Sequence, residues 1–170
     1  MADLVQVKDY AAQQSMLDAT QPRGMHFYWK SEFVPHLSDE LLAVYHEQFA
    51  DLKAPANQIV LFHIAGALNE HPEDDGAMGN REAAYACVTQ AMWAPDSPAG
   101  EANRAWVRKA WRAMKPFSTG GNYVNFQTAD EADDRTQESY RTNYARLAAV
   151  KATYDPTNLF RVNRNIGPEG

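Results

Sequence analysis

The sequence predicts an α+β fold in which an antiparallel sheet carries helices packed on one face. Residues 25–29 alternate Met, Phe and Trp with His and Tyr, which is the period-two pattern of a strand. Apolar runs at 58–68 and 84–93 favour two more strands, separated by a turn-rich stretch at 71–80. Amphipathic segments lie between the strands, so the order of the elements matches the split βαβ order of ferredoxin-like folds.

Three helices are predicted from polar start residues followed by apolar residues at helical spacing. The first covers residues 10–19, and the third ends at Pro116 because proline interrupts a helix. The N-cap residues of the three helices are, in order, Asp9, Ser38 and Ser97, the last followed by Pro98 at the first helical position.

The predicted strands differ in their surroundings. The run at 58–68 is apolar throughout, which is typical of a strand covered on both faces, and we expect it to pair with 84–93 as a hairpin. A shorter strand is predicted over residues 122–127, after the flexible sequence STGG at 118–121. It would be the last strand of the ferredoxin-like order.

The C-terminal part of the chain is predicted to be one long helix and an extended closing segment. Thr128 and Glu131 have the spacing of a capping box, and apolar or aromatic side chains then recur at helical intervals as far as Tyr154. Residues 154–170 combine turn formers, aromatics, arginines and asparagines, whereas free tails are usually sparse and charged. The closing segment is therefore expected to pack against another part of the protein.

Composition argues against several classes of function. A net charge of -6 without a long basic run argues against nucleic acid or an anionic membrane as the partner. No apolar run approaches the roughly 20 residues that span a bilayer. The single cysteine, Cys87, cannot form an internal disulfide, and the N-terminus lacks the features of a signal peptide, so a cytoplasmic location is expected. The length favours a single domain, 1–170.

The sequence predicts no metal site. The five histidines do not include a pair at i,i+4 spacing, which would bring two imidazoles onto one side of a helix. The acidic cluster within residues 70–75 lacks the ligand spacing of a known calcium loop and is expected to be a solvated turn.

Four stretches resemble a known family. They are RGMHFYWKSEFV at 23–34, GNREAAY at 79–85, NYVNF at 122–126 and YARLAAVKATYDPTNLFRVNRNI at 144–166. Together they are similar to the C-terminal part of the berberine-bridge-enzyme-like FAD-linked oxidases, which share the vanillyl-alcohol-oxidase fold. The resemblance covers essentially the whole chain. It implies a substrate-binding domain whose sheet lies over the flavin, with a closing segment that returns towards the FAD-binding domain.

The resemblance also implies an activity and a cofactor. The chain would be the substrate-binding and flavin-covering part of an oxidoreductase that transfers a hydride from an alcohol or amine to FAD. The family's Gly-rich phosphate-binding loop and covalent flavin-attachment residues are not found in the sequence. FAD is therefore not expected to bind tightly to this chain alone, and a separate FAD-binding domain or subunit is the expected partner. The alternative is a non-redox binding module that keeps the fold without the cofactor.

The resemblance makes Tyr123 the candidate catalytic base, because the family's strand at 122–126 faces the flavin and the substrate. A phenol with an ordinary pKa of about 10 needs a nearby cation to act as a base, and Lys30 and Arg81 are the candidates. Asn125 would share the face of Tyr123 by strand alternation. We expect these four side chains to converge on one pocket.

The remaining candidates also depend on the resemblance. Tyr28 and Gln90 join Lys30, Arg81 and Asn125 as candidate substrate-binding residues. Asn163 and Asn165 are candidate cofactor-binding residues, because the family places this segment close to the flavin domain. Structural alternatives stay open, namely a sheet tyrosine with a satisfied hydroxyl at 123 and asparagine side chains that cap the local backbone at 163 and 165.

Self-association is a further expectation. A sheet face that an FAD-binding domain normally covers would leave a broad, partly apolar surface that includes Tyr28 and Tyr123. Monomers rarely expose large apolar patches, and free sheet edges invite pairing. A homodimer joined through the sheet face or an edge strand is therefore expected, with a small-molecule substrate as the other partner.

Overall fold

The computed structural model of the chain describes residues 5–52, 54–131, 134–162 and 164–168. The described residues form an α+β fold, as predicted. The strands are β1 (His26–Val34), β2 (Gln58–His63) and β3 (Tyr85–Trp93). The α-helices are α1 (Tyr10–Gln14), α2 (Asp39–Ala50), α3 (Gly100–Met114), α4 (Asp134–Tyr140) and α5 (Asn143–Tyr154). Short 3-10 turns cover Ser15–Thr20, Ala67–Glu70, Lys115–Phe117 and Val124–Phe126.

The described strands form one antiparallel sheet in the order β1-β3-β2. Lys30 lies opposite Thr89, and Val60 lies opposite Val88. The predicted pairing of the second and third strands is confirmed. The prediction that the second strand is covered on both faces is wrong, because β2 is an edge strand whose residues are half-buried or exposed. It also ends at His63, well before 68, because Gly66 adopts a φ of 104° and turns the chain away.

The two faces of the sheet have different neighbours. Helices α2 and α3 pack on the face that we call the helix face, where alternate residues of β1 and β3 meet their apolar stripes. Two buried clusters form there, one of Tyr28, Ala91, Trp93, Trp106 and Val107, the other of Val34, Leu41, Tyr45, Cys87 and Met114. The opposite face, which we call the open face, presents Trp29, Val60, Phe62, Val88 and Gln90.

The predicted last strand is wrong, because residues 122–127 contain a 3-10 turn. The N–H of Phe126 donates to the carbonyl oxygen of Tyr123 at 2.7 Å. The Gln127 amide donates to Asn122 Oδ1 and Ser139 Oγ at 3.0 and 2.9 Å. Side-chain amides thus bind this segment to α4, and this competes with pairing in the sheet. The loop just before this segment contacts β1, because Phe33 bonds to the backbones of Thr119 and Gly121.

The predicted long helix is divided into α4 and α5. Arg141 lies between them with a φ of 51°, in the left-handed region that interrupts a right-handed helix. The guanidinium of Arg141 donates to the Thr119 carbonyl at 2.6 Å. This bond joins the residue between α4 and α5 to the 118–121 loop. The predicted capping contact is present in part, because Glu131 accepts from the N–H of Thr128 at 3.0 Å.

The predicted starts of the earlier helices have different outcomes. The carboxylate of Asp9 accepts from the N–H of Ala12 at 2.7 Å, and the hydroxyl of Ser38 accepts from that of Leu41 at 3.2 Å. Both N-caps are confirmed. The third helix begins at Gly100 instead of Pro98, so the prediction of Ser97 as its N-cap is wrong.

The closing segment is organised by one carboxylate. Asp155 accepts from the backbone N–H groups of Leu159 and Phe160 at 2.7 and 3.0 Å. Arg164 then donates to the Gln127 carbonyl at 3.1 Å and ties the segment back to the 122–127 turn. Its aromatic side chains remain in solvent, with Tyr154 83% and Phe160 78% exposed. The segment thus contacts the rest of the domain through Arg164, whereas these aromatic side chains are not buried. Its return towards an FAD-binding domain stays a prediction.

Adjacent glycines provide a test of the packing between the 118–121 loop and α4. Both have a positive φ, 87° at Gly120 and 69° at Gly121. A Cβ at Gly121 would lie 2.7 Å from the carbonyl oxygen of Glu138, whereas one at Gly120 would meet nothing within 4 Å. We expect Gly120→Ala to lower the free energy of unfolding by about 1–2 kcal/mol, the cost of a left-handed alanine. Gly121→Ala should cost about 1–3 kcal/mol more.

Urea unfolding of both variants measures this difference. Because the conformational penalty is common to the two glycines, the excess at Gly121 reports the contact with α4. Equal losses would show that α4 does not pack closely on this loop.

Candidate functional site

The structure does not bring the predicted site residues together. Tyr28 and Lys30 point to the helix face of β1, whereas Gln90 on β3 and the pair Tyr123 and Asn125 lie at the open face. The expected convergence of Lys30, Arg81, Tyr123 and Asn125 is therefore wrong. The expectation that Tyr28 belongs to an uncovered sheet face is wrong for the same reason, since Tyr28 is buried against α3.

Lys30 is the centre of a hydrogen-bonded cluster on the helix face. Its Nζ is buried and donates to Thr128 Oγ1 at 2.6 Å and to Asp130 Oδ1 at 2.8 Å. Tyr28 Oη donates to the other oxygen of Asp130 at 2.7 Å, and Arg108 Nε donates to Tyr28 Oη at 3.1 Å. These bonds use the polar atoms of Tyr28 and Lys30 internally, so neither side chain is available at the open face.

The electrostatics of this cluster favour an ionised Asp130. Partial burial opposes ionisation, but hydrogen bonds from Lys30, Thr128 and Tyr28 outweigh it and hold the pKa of Asp130 well below its usual range. Burial, together with the bond to Asp130, raises the pKa of Tyr28 to about 12. The phenol therefore stays protonated at neutral pH and acts as a donor to the carboxylate.

A buried ion pair lies beside this cluster. Arg135 of α4 donates to Glu32 Oε1 of β1 at 2.8 Å, and both side chains are almost fully buried. Trp111 Nε1 donates to the same oxygen at 2.8 Å, and Ser118 Oγ donates to Oε2 at 2.6 Å. Burial raises the pKa of Glu32, and the charge of Arg135 acts against that rise. Sequence reasoning missed this pair, because nothing local to residue 32 identifies a partner so far along the chain.

Arg81 has a structural role in the loop before β3. Its guanidinium donates to the carbonyl oxygens of Leu68 and Asp75 at 2.9 and 2.7 Å. Its backbone N–H donates to Glu73 Oε2 at 3.1 Å. These bonds join three parts of the 64–84 connection, and none of them reaches Tyr123.

The open face contains two adjoining cavities, of about 290 and 300 Å³, that share Phe62 and Phe126. The first is lined by Trp29 and by polar side chains that include Gln58, Gln90 and Asn125. The second is lined by apolar side chains and by Tyr123. Their mixed polar and apolar lining suits a small molecule, although a cavity of about 340 Å³ also lies on the helix face beside Lys30 and Asp130.

Tyr123 and Asn125 contact each other at the border of these cavities. Asn125 Nδ2 donates to Tyr123 Oη at 2.6 Å, and the Phe126 ring packs edge-on against Tyr123 at 5.2 Å. The backbone of Phe126 accepts from Trp29 Nε1 at 2.8 Å, which fixes the turn over the sheet. Phe126 lies beside Tyr123 because a 3-10 turn does not alternate its side chains as a strand does.

The two asparagines of the closing segment are only partly described. Asn163 lies outside the described residues. Asn165 is exposed. The neighbouring Arg164 lines a third cavity of about 560 Å³, which lies beyond Asn125 and also contacts Gln127 and Tyr140.

Comparison with known proteins gives this geometry a family context. The family described as berberine and berberine like matches residues 122–167. Aclacinomycin-N/aclacinomycin-A oxidase of Streptomyces galilaeus is 28% identical over 130 residues, which are 66% of this chain and 24% of the relative. Chitooligosaccharide oxidase of Gibberella zeae is 46% identical over 64 residues, which are 37% of this chain and 13% of the relative.

The chain is related to the berberine-bridge-enzyme-like FAD-linked oxidases. Its fold agrees with this relationship, because the structure of 6-hydroxy-D-nicotine oxidase from Arthrobacter nicotinovorans superimposes with a TM-score of 0.77 at 20% identity. That superposition covers 99% of this chain and 38% of the other. The chain thus spans well under half the length of each of these FAD-linked oxidases.

The glycine pair Gly120 and Gly121 does not fit the phosphate groups of FAD. A phosphate cradle needs free backbone N–H groups at a Gly-rich turn before a helix. The N–H of Gly120 instead donates to Ser118 Oγ at 2.9 Å, and Gly121 packs against the backbone of Glu138. Among the described residues, no group of three or more His, Cys, Asp or Glu is arranged to hold a metal ion. Within the same residues no helix is long and apolar enough to cross a membrane.

The buried ion pair generates a stability prediction. Arg135→Met leaves Glu32 buried without its cation, and we expect the free energy of unfolding to fall by about 3 kcal/mol or more. The matched control is Lys109→Met, which removes an exposed ion pair with Asp51 and should cost less than about 1 kcal/mol. Urea unfolding measures both.

The same variant should show a distinctive pH dependence. A raised pKa means that folded Glu32 binds a proton more readily than unfolded Glu32, so its cost increases as pH rises. Removing Arg135 enlarges this effect, and the loss of stability should therefore be smaller at about pH 5 than at about pH 8. If the loss of unfolding free energy did not change with pH, lost packing and not the unpaired Glu32 carboxylate would be its cause.

Asp130 should show the opposite pH dependence. Because its pKa is lowered in the folded state, its contribution to stability is present above the unfolded pKa and is lost as pH falls below about 4. We expect Asp130→Asn to be less stable than the unmodified chain at neutral pH, with a difference that shrinks below about pH 4. Thermal unfolding across this range, with Asp96→Asn at an exposed carboxylate as control, measures it. A constant difference would contradict the proposed charge interaction.

Proposed function

We propose that the chain provides the substrate-binding surface of an FAD-linked oxidoreductase that acts on an alcohol or amine. The supporting observation is the pair of adjoining cavities on the open face, bordered by Tyr123, in a chain related to FAD-linked oxidases. FAD would be held by a separate FAD-binding domain or subunit, because Gly120 and Gly121 do not form a phosphate cradle.

The substrate would bind between the turn at 122–127 and the central strand. Gln90 and Asn125 carry amides that can orient a hydroxyl or amine, and Trp29 and Phe126 provide aromatic walls. Tyr123 accepts a hydrogen bond from Asn125 and keeps its own hydrogen for an acceptor on the substrate. We propose that Tyr123 donates this hydrogen bond to the reacting group of the substrate and so positions it. Tyr28, Lys30 and Arg81 are not part of this surface, because their polar groups are bound internally.

The names of relatives support an alcohol as the reacting group. Chitooligosaccharide oxidase is named for a carbohydrate, and the oxidisable groups of a carbohydrate are hydroxyls and the anomeric carbon. Asn165 and Asn163 would lie towards the FAD-binding part, as the family resemblance implies.

A second candidate is a non-redox binding module. The observation that favours it is the engagement of Gly120 and Gly121 in internal packing, since binding to the open-face cavities requires no cofactor. The two candidates differ in whether an FAD-binding partner and this chain act together. Homodimer formation, by contrast, is compatible with both and remains a prediction.

Reconstitution tests the proposal. The purified chain alone should retain no flavin absorbance after denaturation. The chain should then be mixed with the isolated FAD-binding part of a related oxidase, from which the substrate domain has been removed. The two should form a stoichiometric complex in which substrate bleaches the flavin. Tyr123→Phe should slow that bleaching by about 100-fold, the usual cost of misplacing a reacting group.

Tyr10→Phe, at an exposed tyrosine of α1, is the matched control and should leave the rate unchanged. A chain that binds small molecules but neither associates with an FAD-binding part nor alters its flavin would be a non-redox module. An unchanged rate in Tyr123→Phe would show that Tyr123 does not position the substrate.

A further inference from the structure

The open face is partly covered by the N-terminal segment, residues 10–21, which contains α1 and the 3-10 turn Ser15–Thr20. Leu17, Thr20 and Gln21 form one wall of the first open-face cavity, and the strands supply most of the remaining lining. A space of about 290 Å³ stays empty between the segment and the sheet. The segment therefore spans this cavity without filling it.

The N-terminal segment makes no hydrogen bond to the sheet. Among the described residues, each hydrogen bond of residues 8–21 joins two residues of that stretch, as in the bond from Thr20 Oγ1 to the Leu17 carbonyl at 2.7 Å. Neither α1 nor the 3-10 turn contains a buried residue, and Leu17 is 41% exposed. An element with so few buried contacts opens at a small fraction of the free energy of global unfolding.

The connection from this segment to β1 contains a hinge. Gly24 has a φ of 82°, in the left-handed region that glycine adopts without steric cost. A Cβ at Gly24 would meet nothing within 4 Å, so the chain has free space around this residue. Hinges are short stretches that absorb changes of φ and ψ between packed elements. Rotation at residues 22–25 would lift the segment and leave β1 in the sheet.

Gln90 couples the contents of the cavity to the position of the segment. Its Nε2 atom is buried and makes no hydrogen bond to any described residue. A buried donor without a partner is unfavourable, so the covered and empty cavity carries a cost that opening to water removes. A bound molecule with an oxygen acceptor at Gln90 removes the same cost while the cavity stays covered. Occupancy of the cavity therefore favours the covered state.

We propose that residues 10–21 form a lid, which opens about Gly24 when the first cavity is empty and closes over a bound molecule. The lid would admit a ligand to the open face and then exclude water from it. The role of the open face as the ligand surface rests on the proposed function, whereas the motion of the lid does not.

Thiol reactivity of the full chain measures the opening of the lid. Val88 lines the covered cavity and is 6% exposed, whereas its neighbour Thr89 is buried on the helix face. Each is replaced by cysteine in a Cys87→Ala background and treated with dithionitrobenzoate. We expect Val88→Cys to react at least about tenfold faster than Thr89→Cys, because opening the lid costs less than unfolding the domain. Equal rates would show that the segment is fixed and would overturn the lid.

Two substitutions in the lid test whether it covers the thiol at position 88. Leu17→Asp removes an apolar contact with the cavity and should speed the reaction of that thiol by about tenfold. Met16→Asp, on the same turn but outside the cavity lining, is the matched control and should change the rate less than about twofold. Equal effects of the two, or no effect of Leu17→Asp, would contradict the lid.

The coupling through Gln90 predicts a change in the opposite direction. Gln90→Met keeps the length of the side chain and removes the unpaired donor, so the covered state gains stability. The reaction of the thiol at position 88 should then slow by about fivefold. Gln58→Met, in the same cavity, is the control and should have little effect. An unchanged or faster reaction in Gln90→Met would reject the coupling.

Hydrogen exchange in the unmodified chain provides a measurement that needs no variant. Amides of α1 should exchange at least about 100-fold faster than amides of β3, and low concentrations of urea should accelerate only the latter. Equal protection of α1 and β3 would show that the segment opens only when the domain unfolds, and would overturn the lid.

The outcome is separable from that of the proposed function, because these measurements use neither flavin nor substrate. A lid that opens in a chain that fails to reconstitute an oxidase would support the lid and reject the oxidase. Flavin bleaching after reconstitution, in a chain whose segment stays fixed, would support the oxidase and reject the lid.

Discussion

The buried ion pair between Glu32 and Arg135 is the contact on which the C-terminal half of the structure depends. It joins β1 to α4, and its hydrogen bonds from Trp111 and Ser118 extend the junction to α3 and the loop that follows it. A buried pair of this kind adds little net stability compared with apolar side chains, but breaking it is costly. The main consequence of this ion pair is that it fixes the position of α4. With α4 fixed, Asn122 and Gln127 can bond to Ser139 and hold the 122–127 turn at the open face.

The two faces of strand β1 contribute to different features of the domain. The alternation of β1 places Tyr28, Lys30 and Glu32 in a charged network under the helices, while Trp29 faces the cavities. The charges that hold the fold are therefore on the opposite side of the sheet from the neutral surface proposed to bind the substrate. The low pKa of Asp130 and the high pKa of Tyr28 are consequences of structural contacts, so they are not signs of a catalytic site.

The sequence was informative where structure depends on local patterns and uninformative where it depends on distant partners. Alternation predicted the first strand and apolar runs the next two, while short polar side chains predicted the caps at Asp9 and Ser38. The segment 122–127 has the composition of a strand, yet amide bonds to α4 fold it into a turn. The predicted site residues were affected in the same way, because their positions also depend on distant partners. Lys30 and Tyr123, both taken from the family resemblance, lie on opposite faces of the sheet, because a strand's two faces cannot be assigned to a pocket until its covering helices are known.

The helix face and the open face of the sheet can also change independently by substitution. Val88 and Gln90 face the cavities from the central strand, while Cys87 and Thr89, which alternate with them, face the helix side and are buried. Substitutions at the first pair alter the shape and hydrogen bonding of the pocket without touching the Glu32–Arg135 or Lys30–Asp130 contacts. Sites on opposite faces that share no partner contribute to stability almost independently. Substitutions at the open face can therefore change the lining of the cavities at nearly constant stability.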